Sequence, residues 1–241
     1  SDRTLSGTIY RVAPKGFKSV VPKFDLKTQA GQIAALQSPA INTRYLGFSR
    51  LKKAGVKSIP ALVQLAKEKN PYVAARAIWL LAQLGEKGEQ AILQLQGQDN
   101  PQARIVAFRA FRRAKHPGIM ELARRLARDQ SPAVRREVAF YLRNEAATPE
   151  VVSILVELAK GYDGKDRTYL EAFGTGATGK EAAVYAALVK GAKSSDWNRA
   201  TAGAVWRLMT AAAVPALQER VFNRKLPVED RSMALESIAF V

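Results

Sequence analysis

Apolar residues recur at helical intervals along most of the chain, in segments that begin with similar short sequences. Four of these segments start with Ser or Asn followed by proline, at Pro39, Pro71, Pro101 and Pro132, which are 32, 30 and 31 residues apart. Ser and Asn cap helix N-termini, and proline suits the first helical position because its missing N–H needs no partner there. The pattern predicts a repeat of two helices, with the capped helix second.

The repeat continues toward the C-terminus without proline. Asp166-Arg167, Asn198-Arg199 and Asp230-Arg231 follow at intervals of 32 residues, the separation that Arg135 and Arg167 also have. Each pair opens an apolar run, so seven capped second helices are predicted. First helices are predicted between them at 59–66, 89–95, 118–127, 150–159, 180–189 and 215–221.

A two-helix unit of about 31 residues cannot bury its apolar face alone, so neighbouring units must share one core. We therefore expect an all-α fold over residues 25–241, a right-handed α-α superhelix of about seven two-helix repeats. Residues 1–24 are expected to form an extended segment or linker, because 7–16 have the pattern of one short strand that ends at a Pro/Gly turn. The last repeat has no polar capping helix, and both ends are expected to be cut from a larger protein.

The starts of the second helices resemble those of HEAT and related armadillo-like repeats. Asn100-Pro101-Gln102-Ala103-Arg104 and Ser131-Pro132-Ala133-Val134-Arg135 match best. With residues 164–174, the chain is similar to the HEAT-like segment of large exported planctomycete-type proteins. In that family a sugar-dehydrogenase-like β-propeller precedes the repeats and a c-type haem-binding domain often follows. The resemblance implies a periplasmic or exported location, and residues 8–13 would be the tail of a propeller blade.

Charge and composition limit the classes of ligand and the kinds of catalytic site that are expected. The net charge is +17, and residues 1–120 carry 20 basic and 6 acidic side chains against 18 and 15 in residues 121–241. Such a basic field attracts nucleic acid, anionic lipid, polyanionic glycan or an acidic protein surface. The absence of cysteine excludes thiolate catalysis and thiolate metal sites within the segment. The first residues, 1–4, lack the charged and then apolar pattern of a signal peptide, and no apolar run in the sequence is long enough to span a membrane.

The residues that could carry catalysis have simpler structural interpretations. His116 is the single histidine and is expected at a surface turn. The G-x-G-x-x-G pattern from Gly174 to Gly179 is expected to be an inter-helix turn that starts with a glycine C-cap, because a helix precedes it. Asp166 is expected to cap a helix, with Asp163 beside it. No catalytic residue, metal ligand or cofactor is predicted.

Arginines of the repeats are the candidate binding residues: Arg50, Arg76, Arg104, Arg109, Arg112, Arg113, Arg135 and Arg143. Arg104 and Arg135 stand 3 residues after their prolines, and Arg112, Arg143 and Arg50 stand 11 after theirs. Equal offsets predict rows along the second-helix face, where the arginines would bind a polyanion or a partner. The structural alternative is that the first-position arginines bond to carbonyls or acids within the stack.

Tryptophans could stack nucleobases. Trp79 and Trp206 are expected in the core, and Trp197 is expected to be exposed.

The leading hypothesis is a non-catalytic protein-interaction or scaffold module of a larger exported, redox, dehydrogenase-like protein. Its partners would be another protein or the neighbouring domains of the same chain. The alternative is a polyanion-binding or nucleic-acid-binding HEAT-like protein similar to DNA glycosylases, although no convincing match to their site is present. A phycobilin-lyase-like enzyme shares the fold, but no residue argues for it.

Overall fold

The computed structural model describes residues 12–18, 20, 22–96 and 100–241, and within them the regular structure is helical. The α-helices are α1 (Gln29–Gln37), α2 (Ile41–Ala54), α3 (Ile59–Leu65), α4 (Pro71–Leu81), α5 (Glu86–Gln96), α6 (Pro101–Ala114), α7 (Ile119–Leu126), α8 (Pro132–Leu142), α9 (Pro149–Lys160), α10 (Arg167–Ala177), α11 (Glu181–Leu188), α12 (Arg199–Leu208), α13 (Val214–Phe222) and α14 (Val228–Ala239). They form two compact units, Ser1–Leu51 and Lys52–Val241.

The N-terminal unit contains the helix pair α1 and α2. The predicted Pro/Gly turn is present, since the Phe17 N–H donates to the Pro14 carbonyl at 3.0 Å and Gly16 has a φ of 82°. The predicted strand at 7–16 lies largely outside the described residues. Thr28 caps α1 by accepting the N–H of Gly31. The first helix therefore begins at Gln29, four residues after residue 25, the predicted start of the repeats.

The C-terminal unit stacks six helix pairs in two layers. Second helices α4, α6, α8, α10, α12 and α14 each pack on the next, and each also packs on the first helix of its own pair. In the other layer, α3 contacts α5 and α9 contacts α11. With the pair α1 and α2, the described residues contain seven two-helix units. The predicted all-α solenoid of two-helix repeats is confirmed.

The predicted caps mostly form, because each depends only on neighbouring residues. The side chains of Asn70, Asn100, Asp166 and Asn198 accept backbone N–H groups of the helices that they precede. The prediction is wrong at Ser131, whose side chain makes no capping hydrogen bond, and at Pro39, which lies before the start of α2 at Ile41. It is also wrong in the last repeat, where α14 begins at Val228 after Pro227. Asp230 therefore lies inside the first turn of α14 and caps nothing.

The predicted alignment of Arg135 with Arg167 is also wrong. Arg135 lies four residues after its cap, Ser131, whereas Arg167 is the first residue of its helix, directly after Asp166. The connection from α8 to α10 is longer than those between the other second helices, so the 32-residue interval reaches a different position in α10. The two arginines therefore have different environments.

Large apolar side chains from both layers fill the space between successive pairs. Phe108, Phe111 and Phe173 are each no more than 1% exposed, and the ring of Phe108 meets that of Tyr141 edge-on at 5.5 Å. Burying such a side chain stabilises the fold by roughly 1.5–3 kcal/mol. This continuous core holds each second helix in a fixed register against its neighbours.

The glycines of α10 allow this helix to pack closely against α8. Gly174 and Gly176 lie within the helix and not at its end, so the predicted C-cap at Gly174 is wrong. A Cβ at Gly176 would stand 2.6 Å from the backbone oxygen of Ala139 in α8, so only glycine permits this approach. The turn comes three residues later, at Gly179, whose φ of 75° favours glycine.

Candidate functional site

The first-position arginines are engaged within the stack. The Nε and Nη2 atoms of Arg104 donate to the two carboxylate oxygens of Asp129 at 2.7 and 2.9 Å. Asp129 lies in the connection between α7 and α8, and its side chain is 9% exposed. This paired, largely buried fork has the geometry that the structural interpretation expects.

Arg135 joins the turns of two successive repeats. Its Nη1 donates to the backbone carbonyls of Asp129 at 2.6 Å and Gln130 at 3.1 Å, and its Nη2 donates to that of Gly161 at 3.0 Å. The guanidinium also lies 5.1 Å from the ring centroid of Tyr169, whose hydroxyl accepts from Nε at 3.2 Å. Since its donors are directed at the protein, Arg135 stabilises the junction of α8 with α10.

The other candidate arginines of α6 and α8 lie at the surface. Arg109 and Arg112, with side chains 53% and 46% exposed, both approach the carboxylate of Glu137, at 2.6 and 3.9 Å. The hydrogen bond with Glu137 raises the pKa of Arg109. Arg113 and Arg143 are exposed and make no ion pair within the part of the chain that the structure describes.

Two aromatic side chains lie at the same level of the second helices. Trp79 and Phe140 each stand nine residues after their cap, the offset that Arg109 has in α6. Phe140 is 44% exposed and Trp79 is half-buried. Trp79 and Arg113 line one groove of about 390 Å³ between α4 and α6. We call the surface formed by these side chains the basic strip; its members are Trp79, Arg109, Arg112, Arg113, Phe140 and Arg143.

The remaining two candidate arginines stand apart from the basic strip. Arg50 is exposed on α2 and belongs to the N-terminal unit. Arg76 is half-buried on α4. Arg76 stands three residues before Trp79 on the same helix. Neither arginine is included in the basic strip, and their use in binding stays a prediction.

The prediction for the tryptophans is wrong. Trp197 is 6% exposed, because its ring packs edge-on against Tyr185 and lies 5.5 Å from the guanidinium carbon of Arg220. Trp79 and Trp206 are half-buried and reach the surface of the second helices. A helix from the following repeat covers Trp197, and this cannot be seen from the turn sequence around it.

Buried cations are structural features that the sequence analysis missed. Lys180, 5% exposed, donates to the carbonyls of Arg143, Gly176 and Thr178 at 3.2, 3.4 and 2.9 Å. Arg220, 1% exposed, donates to the carbonyls of Ser194 and Trp197, and burial lowers its pKa. Both cations bind helix ends and turns, where carbonyl groups lack helical partners.

Residues considered for catalysis have structural contacts. His116 is less exposed than predicted, since its Nε2 lies 3.2 Å from Glu89 and its Nδ1 accepts the N–H of Gly118. Asp166 caps α10 as predicted, and Asp163 accepts the N–H groups of Lys165 and Asp166, which lower the pKa of its carboxyl group. Within the described ranges, no cluster of three or more potential metal ligands occurs. Nor does any described helix have the length and apolar character needed to cross a membrane.

A second surface feature is a cleft of about 610 Å³ at the second helices α10, α12 and α14, which we call the C-terminal cleft. Its apolar lining includes Leu170, Trp206 and Met233. Lys165, in the turn before α10, and Arg199, at the start of α12, contribute cations. The acidic lining residues, Glu229, Asp230 and Glu236, all come from α14.

The central cation of the C-terminal cleft is already paired. The guanidinium carbon of Arg167 lies 4.7 Å from the ring centroid of Trp206, and its Nη2 lies 2.5 Å from Glu171. Glu171 also pairs with Arg207 at 2.7 Å. Burial opposes ionisation of Glu171, but these two arginines outweigh it and the pKa of the carboxyl group is lowered. Arg167 is therefore a paired cation of the cleft, although its side chain is 67% exposed.

Comparison with known proteins adds a family match for part of the chain. No curated protein matches the chain. Among solved structures, the chain is similar to the designed armadillo repeat protein YIII(Dq)4CqI, with 14% sequence identity, 88% of this chain and 99% of that chain covered, and a TM-score of 0.36. The family model for HEAT repeats matches residues 88–174, which extend from α5 into α10. The chain is thus an all-α solenoid that contains HEAT-like repeats.

Proposed function

We propose that this chain is a non-catalytic protein-interaction scaffold, and that its basic strip binds an acidic segment of a partner protein. The proposal rests on one observation. Four exposed arginines and two accessible aromatic rings lie on one face formed by α4, α6 and the C-terminal end of α8, and Glu137, the carboxylate paired with Arg109 and Arg112, is largely buried. Arginine and aromatic side chains are enriched at the centres of protein interfaces.

The chemistry of the basic strip favours a protein segment over a phosphate backbone. Glu137 already takes part of the charge of Arg109 and Arg112, so the strip offers two fully available guanidinium groups and not a long cationic row. Trp79 and Phe140 add apolar surface on either side of α6. An extended segment that alternates carboxylates with apolar side chains complements this arrangement.

Binding of labelled peptides tests the proposal. The probe is a fluorescein-labelled peptide of alternating Glu and Phe, measured by fluorescence anisotropy at about 50 and 150 mM salt. The variant Arg112→Glu/Arg113→Glu/Arg143→Glu should raise its Kd at least about tenfold, because three attractive charges become repulsive and 1.4 kcal/mol is a factor of ten.

The matched control changes the net charge equally at exposed positions elsewhere. The variant Lys190→Glu/Arg224→Glu/Lys225→Glu also removes three positive charges and adds three negative ones. It should change the Kd less than about threefold, an effect of the overall field alone. Equal losses in the two variants would show that only net charge matters, and the basic strip would then be no site.

Binding of the chain to a DNA duplex and to heparin tests the competing function. Tight duplex binding with a steep salt dependence, together with weak peptide binding, would replace our proposal with the polyanion-binding alternative. The exposed guanidinium groups of Arg113 and Arg143 are the observation that keeps this alternative in the test.

The larger protein around this scaffold is part of the same proposal. Its resemblance to exported planctomycete-type proteins supports a periplasmic or exported redox protein in which the solenoid separates a β-propeller from a haem domain. Recovery of the native protein from periplasmic and cytosolic fractions, followed by its intact mass and haem absorbance, tests this. A cytosolic protein without further domains would contradict it.

A further inference from the structure

The C-terminal cleft separates unpaired charges of opposite sign along one surface. Lys165 and Arg199 stand on the side of α10 and α12, and Glu229 and Glu236 stand on α14. None of these four side chains forms an ion pair with another described residue. Since α12 packs between α10 and α14, Lys165 and the carboxylates stand at opposite ends of this row of helices, and Arg199 stands on the helix between them.

An apolar floor lies between these charges. Leu170 and Met233 line the cleft with the ring of Trp206, which meets Phe240 edge-on at 6.3 Å. Gly203 also belongs to the floor, and a Cβ there would stand 3.0 Å from the ring of Tyr162. The floor is therefore lined by aromatic and aliphatic atoms, and at about 610 Å³ the cleft lies within the size range of binding sites for small ligands and short segments.

We infer that the C-terminal cleft binds a short dipolar peptide segment of a partner protein, with a carboxylate toward α10 and α12, a basic side chain toward α14 and an apolar side chain on the floor between them. The acidic side of the cleft would repel a nucleic acid or an anionic membrane, and the cationic side would repel a uniformly basic segment. A segment with one charge of each sign satisfies both sides. This site rests on the proposed scaffold function but uses different residues from the basic strip.

The test measures whether charge-reversal variants change which peptide the cleft binds most tightly. Three fluorescein-labelled peptides with blocked ends, Asp-Gly-Leu-Gly-Lys, Asp-Gly-Leu-Gly-Asp and Lys-Gly-Leu-Gly-Lys, are titrated with the unmodified chain and with two variants. The unmodified chain should bind the dipolar peptide about three- to tenfold more tightly than either of the others. Arg199→Glu places a carboxylate on the cationic side, where Lys165 remains, and should shift the preference toward the dibasic peptide. Glu236→Lys adds a cation to the acidic side and should shift it toward the diacidic peptide.

Controls separate this site from the basic strip. Lys190→Glu and Glu68→Lys make the same charge changes at exposed positions outside the cleft and should leave the order of the three peptides unchanged. The variant Arg112→Glu/Arg113→Glu/Arg143→Glu should also keep that order, so a failure of the basic strip would not be mistaken for a failure of the cleft. Absence of dipolar-peptide binding, or a preference that does not change in Arg199→Glu and Glu236→Lys, overturns the inference.

Discussion

Removal of the Arg135 side chain should destabilise the C-terminal unit far more than removal of its neighbour on α8. Arg135 donates to three backbone carbonyls in the inter-helix turns of two successive repeats, and its guanidinium lies against the ring of Tyr169. Arg136, the next residue, makes one ion pair, with Asp166 at 3.3 Å, and both of those side chains are about one third exposed. Arg135→Ala and Arg136→Ala remove the same charge.

The magnitude follows from the groups left without a donor. In Arg135→Ala, the carbonyls of Asp129 and Gly161, which lie in part-buried bonds, lose their guanidinium partner, at a cost of roughly 1–3 kcal/mol each when water does not replace it. The contact with Tyr169 adds about 0.5–1 kcal/mol. We expect a total near 3 kcal/mol, against less than about 1 kcal/mol for Arg136→Ala.

Urea unfolding followed by circular dichroism at 222 nm measures the difference. With a slope of about 2–3 kcal/mol per molar urea, the midpoint should fall by about 1 M in Arg135→Ala and by less than half of that in Arg136→Ala. Arg135→Lys should recover only part of the loss, because one ammonium group cannot reach all three carbonyls. Equal midpoints for the two alanine variants would refute the claim that Arg135 joins successive repeats.

Three further predictions concern packing and protonation. Gly176→Ala should cost about 1–3 kcal/mol, because the new methyl group meets the Ala139 backbone, and calorimetry should show a lower melting temperature; an unchanged one would mean that the two helices separate freely. Burial and the neighbouring Glu145 raise the pKa of Tyr141 to about 12, so an absorbance titration should contain a late phenol component that is absent in Tyr141→Phe. Burial opposes ionisation of Glu157, but Arg128 and Lys160 together outweigh it and the pKa of the carboxyl group is lowered. The stabilisation from Glu157 is therefore present above about pH 4.3 and is lost as the pH falls through the lowered pKa. Unfolding free energies at about pH 6 and pH 3 should therefore differ less in Glu157→Gln than in the unmodified chain, and an equal difference would contradict the role of this ion pair.

Local signals in the sequence predicted the repeat well. A helix cap is formed by residues within one turn of each other, so Asn70, Asn100, Asp166 and Asn198 could be identified from sequence alone. One exception, α14, also carried a local signal, because Pro227 precedes the helix directly. The fixed 32-residue interval led to Asp230 instead, although the true caps are unevenly spaced.

Contacts between repeats could not be predicted in the same way. Arg220 covers Trp197 from 23 residues further along the chain, and Lys180 reaches the carbonyl of Arg143 across 37 residues. These contacts depend on how two helix pairs stack and not on the sequence around either residue. The basic strip was partly predictable, because Arg112 and Arg143 have equal offsets from their caps. The same offset rule would also have placed Phe140 beside Arg109.

Photo-cross-linking of the acidic peptide maps its site on the chain and tests the central claim most directly. The alternating Glu and Phe peptide, with one Phe replaced by a photoreactive analogue, is irradiated with the unmodified chain, and the cross-linked fragments are identified by mass spectrometry. Our account predicts cross-links concentrated in residues 71–83, 101–114 and 132–144, and their loss in the variant Arg112→Glu/Arg113→Glu/Arg143→Glu. Cross-links concentrated on the first helices α7 and α9, or spread evenly over the chain, would contradict it.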